Sequence, residues 1–231
     1  MTNLLAKTDC QKVISLEKDQ NLFHWLEENN KNNKTIYLCQ DALQINWSDF
    51  CSQYKNNSLI IVGNLPYYIT NSLIVDLLFN YHLFNSLIFL VQKEVGQKWV
   101  SSPNKYSSKY SALSVFINYL AETKIVLEIP KSVFVPSPSV DGALVAINLC
   151  KDIGISKEQL VSFLRFLKNC FRFRRKTLLN NLSSFAGNYK AEWKKYFIEK
   201  GYSNQVRPQN LTPSEYWKLF LFWQGFEIKI V

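Results

Sequence analysis

No apolar run in this 231-residue chain is long enough to span a bilayer. The first twenty residues, MTNLLAKTDCQKVISLEKDQ, carry no basic stretch followed by an apolar one, so no secretory signal is expected there. Cysteine is sparse: the five residues Cys10, Cys39, Cys51, Cys150 and Cys170 are widely spaced, odd in number and form no CxxC pair. That argues against a disulfide framework and a zinc site, and for free thiols in a reducing compartment. The two histidines, His24 and His82, lie in separate segments, so a histidine-based catalytic or metal centre is not expected. Glycine is scarce as well, with seven residues and no GxGxG, which removes the usual glycine-rich nucleotide loop.

What the chain does have is a 47% hydrophobic composition, enough for a sizeable core, and a lopsided charge. Residues 1–150 balance 12 Lys+Arg against 12 Asp+Glu, whereas residues 151–231 hold 15 against 6. The whole excess of +9 therefore falls in the C-terminal third. A basic module beside a neutral one fits a polyanion-binding appendage, and a solvated helical surface would carry the same charge.

Short apolar strands alternate with helical stretches up to residue 150. KVISLE, TIYLC, SLIIVGN, SLIFLVQ, TKIVLEI and GALVAINL read as strands. DQNLFHWLEEN, NSLIVDLLFNY and YSALSVFINYL read as helices. This predicts an α/β unit over 1–150 with a largely parallel sheet covered on both faces. The last two strands are joined by PKSVFVPSPSVD, too short for a crossover helix, so they should pair antiparallel. Beyond residue 150 the period becomes helical: Leu160, Phe163, Leu164, Leu167 and Phe171 recur at i, i+3, i+4 and i+7. Thr212 with Glu215 forms a capping-box pattern before the last helix. A small all-helical second domain over 151–231 is expected.

Three strands end in polar residues: Glu17, Asp41 and Asn64. In open parallel sheets ligands bind beyond the carboxyl ends of the strands, so the three should converge on one crevice. Glu17 and Asp41, taken alone, are accounted for by ordinary loop polarity. Asn64 is different, because IIVGNLPYYIT sets an amide, a proline and two tyrosines at the end of a core strand. An asparagine oxygen and the Pro66 carbonyl can each accept a hydrogen from one exocyclic amino group. Such a nitrogen is a poor nucleophile while its lone pair is delocalised into a heteroaromatic ring, and two acceptors favour its pyramidal form. Tyr67 beside it can stack on an extruded base. This is catalysis by positioning and electrostatics, with no general base of shifted pKa.

Asn64-Leu65-Pro66-Tyr67 resembles the motif of amino-group methyltransferases that use S-adenosylmethionine. GNLPYYIT, LVQKEVGQKWV, YSALSV, VFVPSPSVDGALV, FRFRRKTLLNNL and RPQNLTPSEY follow one another as in the KsgA family of small-subunit rRNA adenine N6,N6-dimethyltransferases. The similarity spans nearly the whole chain. It implies a Rossmann-like methyltransferase sheet followed by a small helical domain. It also implies methylation of two adjacent adenines near the 3′ end of small-subunit rRNA during ribosome biogenesis. The enzyme would be cytoplasmic and monomeric, with the immature small subunit as partner and neither membrane nor metal. Residue by residue, Asn64, Leu65, Pro66 and Tyr67 match the catalytic loop, Glu17 the acid on the cofactor ribose, and Asp41 with Ala42 the cofactor adenine site. Phe134 matches an aromatic that packs on the target base, although core filling would explain it equally well. Arg172, Arg174, Arg175 and Lys176 fall within about two helical turns and read as a phosphate grip.

Two features depart from the family. Tyr68 stands where it usually carries Asn. The family also begins with a target-facing arm, a first strand and a glycine-rich cofactor loop, whereas residues 1–11 here correspond to the helix leading into the second strand. The first strand is central in that sheet, so two strands should be left with unpaired backbone and the cofactor should bind weakly. A catalytically impaired, binding-only assembly factor is the alternative. A large-subunit rRNA methyltransferase is a third reading, against which RRKTLLNNL and RPQNLTPSEY argue.

Overall fold

The computed structural model describes residues 1–54, 58–66, 68–104 and 106–227, the final two by backbone alone. The chain opens with a short helix, α1 (Thr2–Leu5), then β1 (Val13–Glu17), α2 (Gln20–Glu28) and β2 (Thr35–Cys39). β1 and β2 pair in parallel, from Val13 opposite Thr35 to Glu17 opposite Cys39. Asp19 caps α2 by accepting from the Leu22 N–H at 2.9 Å. Next come α3 (Trp47–Ser52), β3 (Ile60–Asn64), α4 (Thr70–Phe79), β4 (Ser86–Gln92), α5 (Lys93–Trp99) and α6 (Ala112–Leu120). β5 (Ala121–Ile129) and β6 (Gly142–Leu149) complete the strands.

The strands form two sheets, β1-β2 and β3-β4-β6-β5. β3 and β4 are parallel, while β6 runs antiparallel to β5, as the short Pro-rich connection requires, and also to β4. β1 and β3 each have one paired edge and one edge with no strand partner among the described residues. Ile60 on β3 is 53% exposed, unusual for an apolar parallel strand.

Two helices went unread in the sequence. In α3 only Trp47 and Cys51 are buried, so the segment is too short to show a period. α5 follows β4 without a turn signal, and Gly96 lets it lie close on the sheet. A Cβ at Gly96 would stand 3.0 Å from Val145 Cγ2 and 3.1 Å from the Ala143 Cβ.

After Leu149 every described element is helical: α7 (Lys157–Cys170), α8 (Leu178–Phe185), α9 (Lys190–Glu199) and α10 (Pro213–Glu227). Thr212 and Glu215 form the expected capping box, with the Glu215 N–H donating to the Thr212 hydroxyl and the Thr212 N–H to the Glu215 carboxylate. α7 and α10 pack on α6, and one continuous apolar core runs from Leu87 and Phe89 of β4 through Phe116 to Phe163 and Phe220. Among the described residues no helix is long and apolar enough to cross a membrane.

Candidate active site

Asn64 closes β3 opposite Leu90 of β4, exposed at the carboxyl end of the sheet. Its side-chain amide makes no hydrogen bond among the described residues. Leu65 turns inward against the core, and its Cδ2 would stand 2.9 Å from a Cβ on Gly63. The turn is fixed through the Pro66 carbonyl, which accepts from the Ile69 N–H at 3.2 Å and the Thr70 hydroxyl at 3.0 Å. Both lone pairs of that carbonyl are thus directed at the first turn of α4. This corrects the expectation that the proline carbonyl grips the substrate; the Leu65 carbonyl is the one no described donor engages. Tyr67 lies outside the described residues, and Tyr68 is 85% exposed.

Phe134 sits in the loop between β5 and β6. The loop is pinned at its ends: the Lys131 N–H donates to the Asp141 carboxylate at 3.0 Å, and the Lys93 N–H to the Asp141 carbonyl at 2.9 Å. The half-buried Phe134 ring lies against Gly142, beside Leu90; a Cβ on Gly142 would approach both at 3.3 Å. Leu90 is the partner of Asn64, so Asn64 and Phe134 share one end of the larger sheet.

Glu17 ends β1 opposite Cys39, and Asp41 follows β2 at the same end of the smaller sheet. One Glu17 carboxylate oxygen accepts from the Asp19 N–H at 2.9 Å, and the other has no described donor. Asp41 caps the 3-10 turn Ala42–Gln44 through the Leu43 N–H at 3.0 Å and pairs with Lys18 at 2.7 Å. The hydrogen bond from Lys18, reinforced by the Leu43 N–H, holds the Asp41 carboxyl below its ordinary pKa. The Ala42 N–H is not engaged by any described acceptor. The turn at Ala42 packs on α4, the helix that leads out of the Asn64 loop. Lys18 in turn has a raised pKa, mainly through its hydrogen bond and charge pairing with Asp41. Lys18 was not singled out from the sequence, because an exposed lysine after a strand carries no pattern of its own.

The basic cluster is not helical. α7 ends at Cys170, and Arg172, Arg174, Arg175 and Lys176 occupy the turns that follow. The fully buried Asn181 of α8 holds that loop, accepting from the Phe173 N–H at 2.9 Å and donating to the Phe173 carbonyl at 3.1 Å. Arg174 donates to the Ser108 carbonyl at 2.8 Å, tying the loop to the segment before α6. Arg172 lies over the Phe173 ring at 5.2 Å. Within the cluster, Arg175 and Lys176 are exposed and free of described partners, which leaves both open to a polyanion. Reversing both to Glu should weaken RNA binding by about tenfold or more and lower its salt slope by about two. Filter binding across a salt series would show it; an unchanged slope would remove the loop from the RNA contact.

The family model described as Ribosomal RNA adenine dimethylase matches residues 1–224. A ribosomal RNA small subunit methyltransferase A of Aster yellows witches'-broom phytoplasma is 34% identical over 92% of this chain and 78% of its own. Its namesake from Mycoplasmopsis pulmonis is 31% identical over 96% of this chain and 82% of its own. Among solved structures, a dimethyladenosine transferase from Plasmodium falciparum superposes with a TM-score of 0.75 at 19% identity, covering 96% of this chain and 86% of that one. The 23S rRNA methyltransferase ErmE does so with a TM-score of 0.67 at 20% identity, covering 96% and 85%. The structural likenesses establish the shared methyltransferase fold. With the match along nearly its whole length, the chain belongs to the ribosomal RNA adenine dimethylase family.

Proposed function

We propose that this protein transfers methyl groups from S-adenosylmethionine to the N6 atoms of two adjacent adenines near the 3′ end of small-subunit rRNA, acting in the cytoplasm on the immature subunit. The observation that carries the reading is the Asn64 amide at the end of β3, unbonded among the described residues and at the same end of the sheet as Phe134, in a chain of this family. The Asn64 oxygen and the Leu65 carbonyl accept the two amino hydrogens and orient the nitrogen lone pair out of the ring plane. Phe134 offers its face to the extruded base. A nitrogen that gains a methyl group becomes acidic and loses its proton to solvent, so no shifted-pKa base is needed.

The donor set suits the cofactor. The unengaged Glu17 oxygen can accept from ribose hydroxyls, and Asp41 with the Ala42 N–H can hold the adenine edge. Bound there, the cofactor supplies a methyl carbon on a positively charged sulfur. Asp41 must first release Lys18, whose side chain is 74% exposed. Lys18→Met should therefore tighten cofactor binding by up to about fivefold, the range of an exposed ion pair. Calorimetry would register it, and weaker binding would show that Lys18 assists the cofactor.

The test of the activity is to incubate the protein with labelled cofactor and immature small subunits, then quantify dimethyladenosine at neighbouring positions. One observation favours a binding-only factor: among the described residues, the two-stranded sheet that ends at Glu17 shares no strand pairing with the sheet that holds Asn64. Tight subunit binding without dimethyladenosine would select that reading.

A further inference from the structure

An open pocket of about 750 Å³ lies where α4, the start of α6 and the end of α7 meet. Its walls include Val75 and the rings of Phe79 and Phe171, with Asp76 to one side and Lys168 and Arg174 from the helical half. We propose that it takes one nucleotide of single-stranded RNA flanking the target adenine, a reading that rests on the rRNA substrate proposed above. The base lies against Phe79 and Phe171, and the phosphate sits on Lys168 and Arg174.

Four observations support that occupant. First, α4 is pinned to the Asn64 loop by the Thr70–Pro66 bond of 3.0 Å, so one wall of the pocket begins where the reaction site ends. Second, Lys168 is exposed and makes no hydrogen bond or ion pair among the described residues, while Arg174 is oriented by the Ser108 carbonyl at 2.8 Å and has further N–H groups to offer. Both belong to the segment that carries the whole positive excess. Third, aromatic rings in a cationic groove are what bases and phosphates of single strands bind. A duplex would keep its bases stacked and out of reach. Fourth, the Asp76 carboxylate accepts from the Trp47 indole N–H at 2.8 Å through one oxygen, leaving the other for a donor. It would repel a phosphate and accept from an exocyclic amino group, so the base end of the nucleotide faces Asp76. The volume accommodates a nucleotide with room for its linkage.

The experiment compares binding of the full chain and its variants to immature small subunits and to protein-free small-subunit rRNA. Ser72→Trp, at an exposed position lining the pocket, fills it; Lys168→Glu reverses its charge. Each should weaken binding to both targets by about tenfold. Asp76→Asn keeps an acceptor for Trp47 but turns an N–H towards the base, and should weaken binding by about fivefold. If Ser72→Trp lowers thermal stability, Lys168→Glu carries the test. Unchanged binding in these variants, while the Arg175/Lys176 reversal still weakens it, would overturn the pocket and leave the rRNA reading standing. Unchanged binding in all of them would overturn both. A loss on subunits but not on protein-free rRNA would overturn the nucleotide and assign the pocket to a ribosomal protein.

Discussion

Replacing Asn64 by alanine is expected to slow adenine methylation by about 10²–10³-fold, the usual cost of deleting one preorganised polar contact at a reacting centre. The loss should appear in single-turnover rate, with affinity for immature subunits within about twofold of the parent protein. The asymmetry follows from where the residue sits. Asn64 is exposed at a strand end, makes no hydrogen bond among the described residues, and holds no part of the turn that follows. That turn is kept by Pro66, Ile69 and Thr70. Removing the amide therefore leaves the loop in place and takes away only the acceptor proposed to orient the amino group. Asn64→Asp keeps an acceptor oxygen and should retain more activity than alanine. A rate within about threefold for Asn64→Ala would mean that the nitrogen is oriented by other groups, and the catalytic reading of this loop would fall.

How far this site could be read from the sequence depended on how local its signals are. Asn64 and Phe134 were legible because each lies at a break between an apolar strand and a turn rich in proline. That they share one end of the sheet was not, since the link passes through Leu90 and Gly142 on two other strands. That Glu17 and Asp41 lie at one end of a sheet followed from their places at the ends of two parallel strands. The Lys18–Asp41 ion pair did not, because a side-chain contact between strand ends has no periodicity. FRFRRKT looked helical by continuity with α7, yet Asn181, several residues on, competes for the Phe173 backbone and ends the helix. Pro66 shows the same limit: its carbonyl looked available until the Thr70 side chain was placed.

The sequence suggested a helical unit appended to a sheet, whereas the packing joins the two through aromatic rings. Phe163 of α7 is fully buried, with ring centroids 6.2 Å from Phe116 and 5.5 Å from Tyr119 of α6, and 5.0 Å from Trp217 and 5.2 Å from Phe220 of α10. Phe116 in turn meets Phe79 of α4, the helix that leaves the Asn64 loop. Truncating Phe163 removes apolar surface from both halves at once and leaves a cavity that rigid rings cannot collapse into.

Phe163→Ala should therefore cost about 3–5 kcal/mol, a large part of the roughly 5–15 kcal/mol that holds a typical protein folded. Because the core is continuous, the loss should lower one shared transition. Urea unfolding followed by tryptophan fluorescence and by far-UV circular dichroism should give coincident midpoints, both shifted down. Ile198→Ala, at a 76% exposed position on α9, should move them by less than about 0.5 kcal/mol. The functional consequence runs through geometry. Phe163 keeps α7, and with it the basic loop, in register with α4 and the Asn64 turn. On the proposed function, RNA held by the loop would then be presented to the Asn64 amide. Two separate transitions, with only the helical one shifted, would show that the halves are held together more weakly than these rings imply.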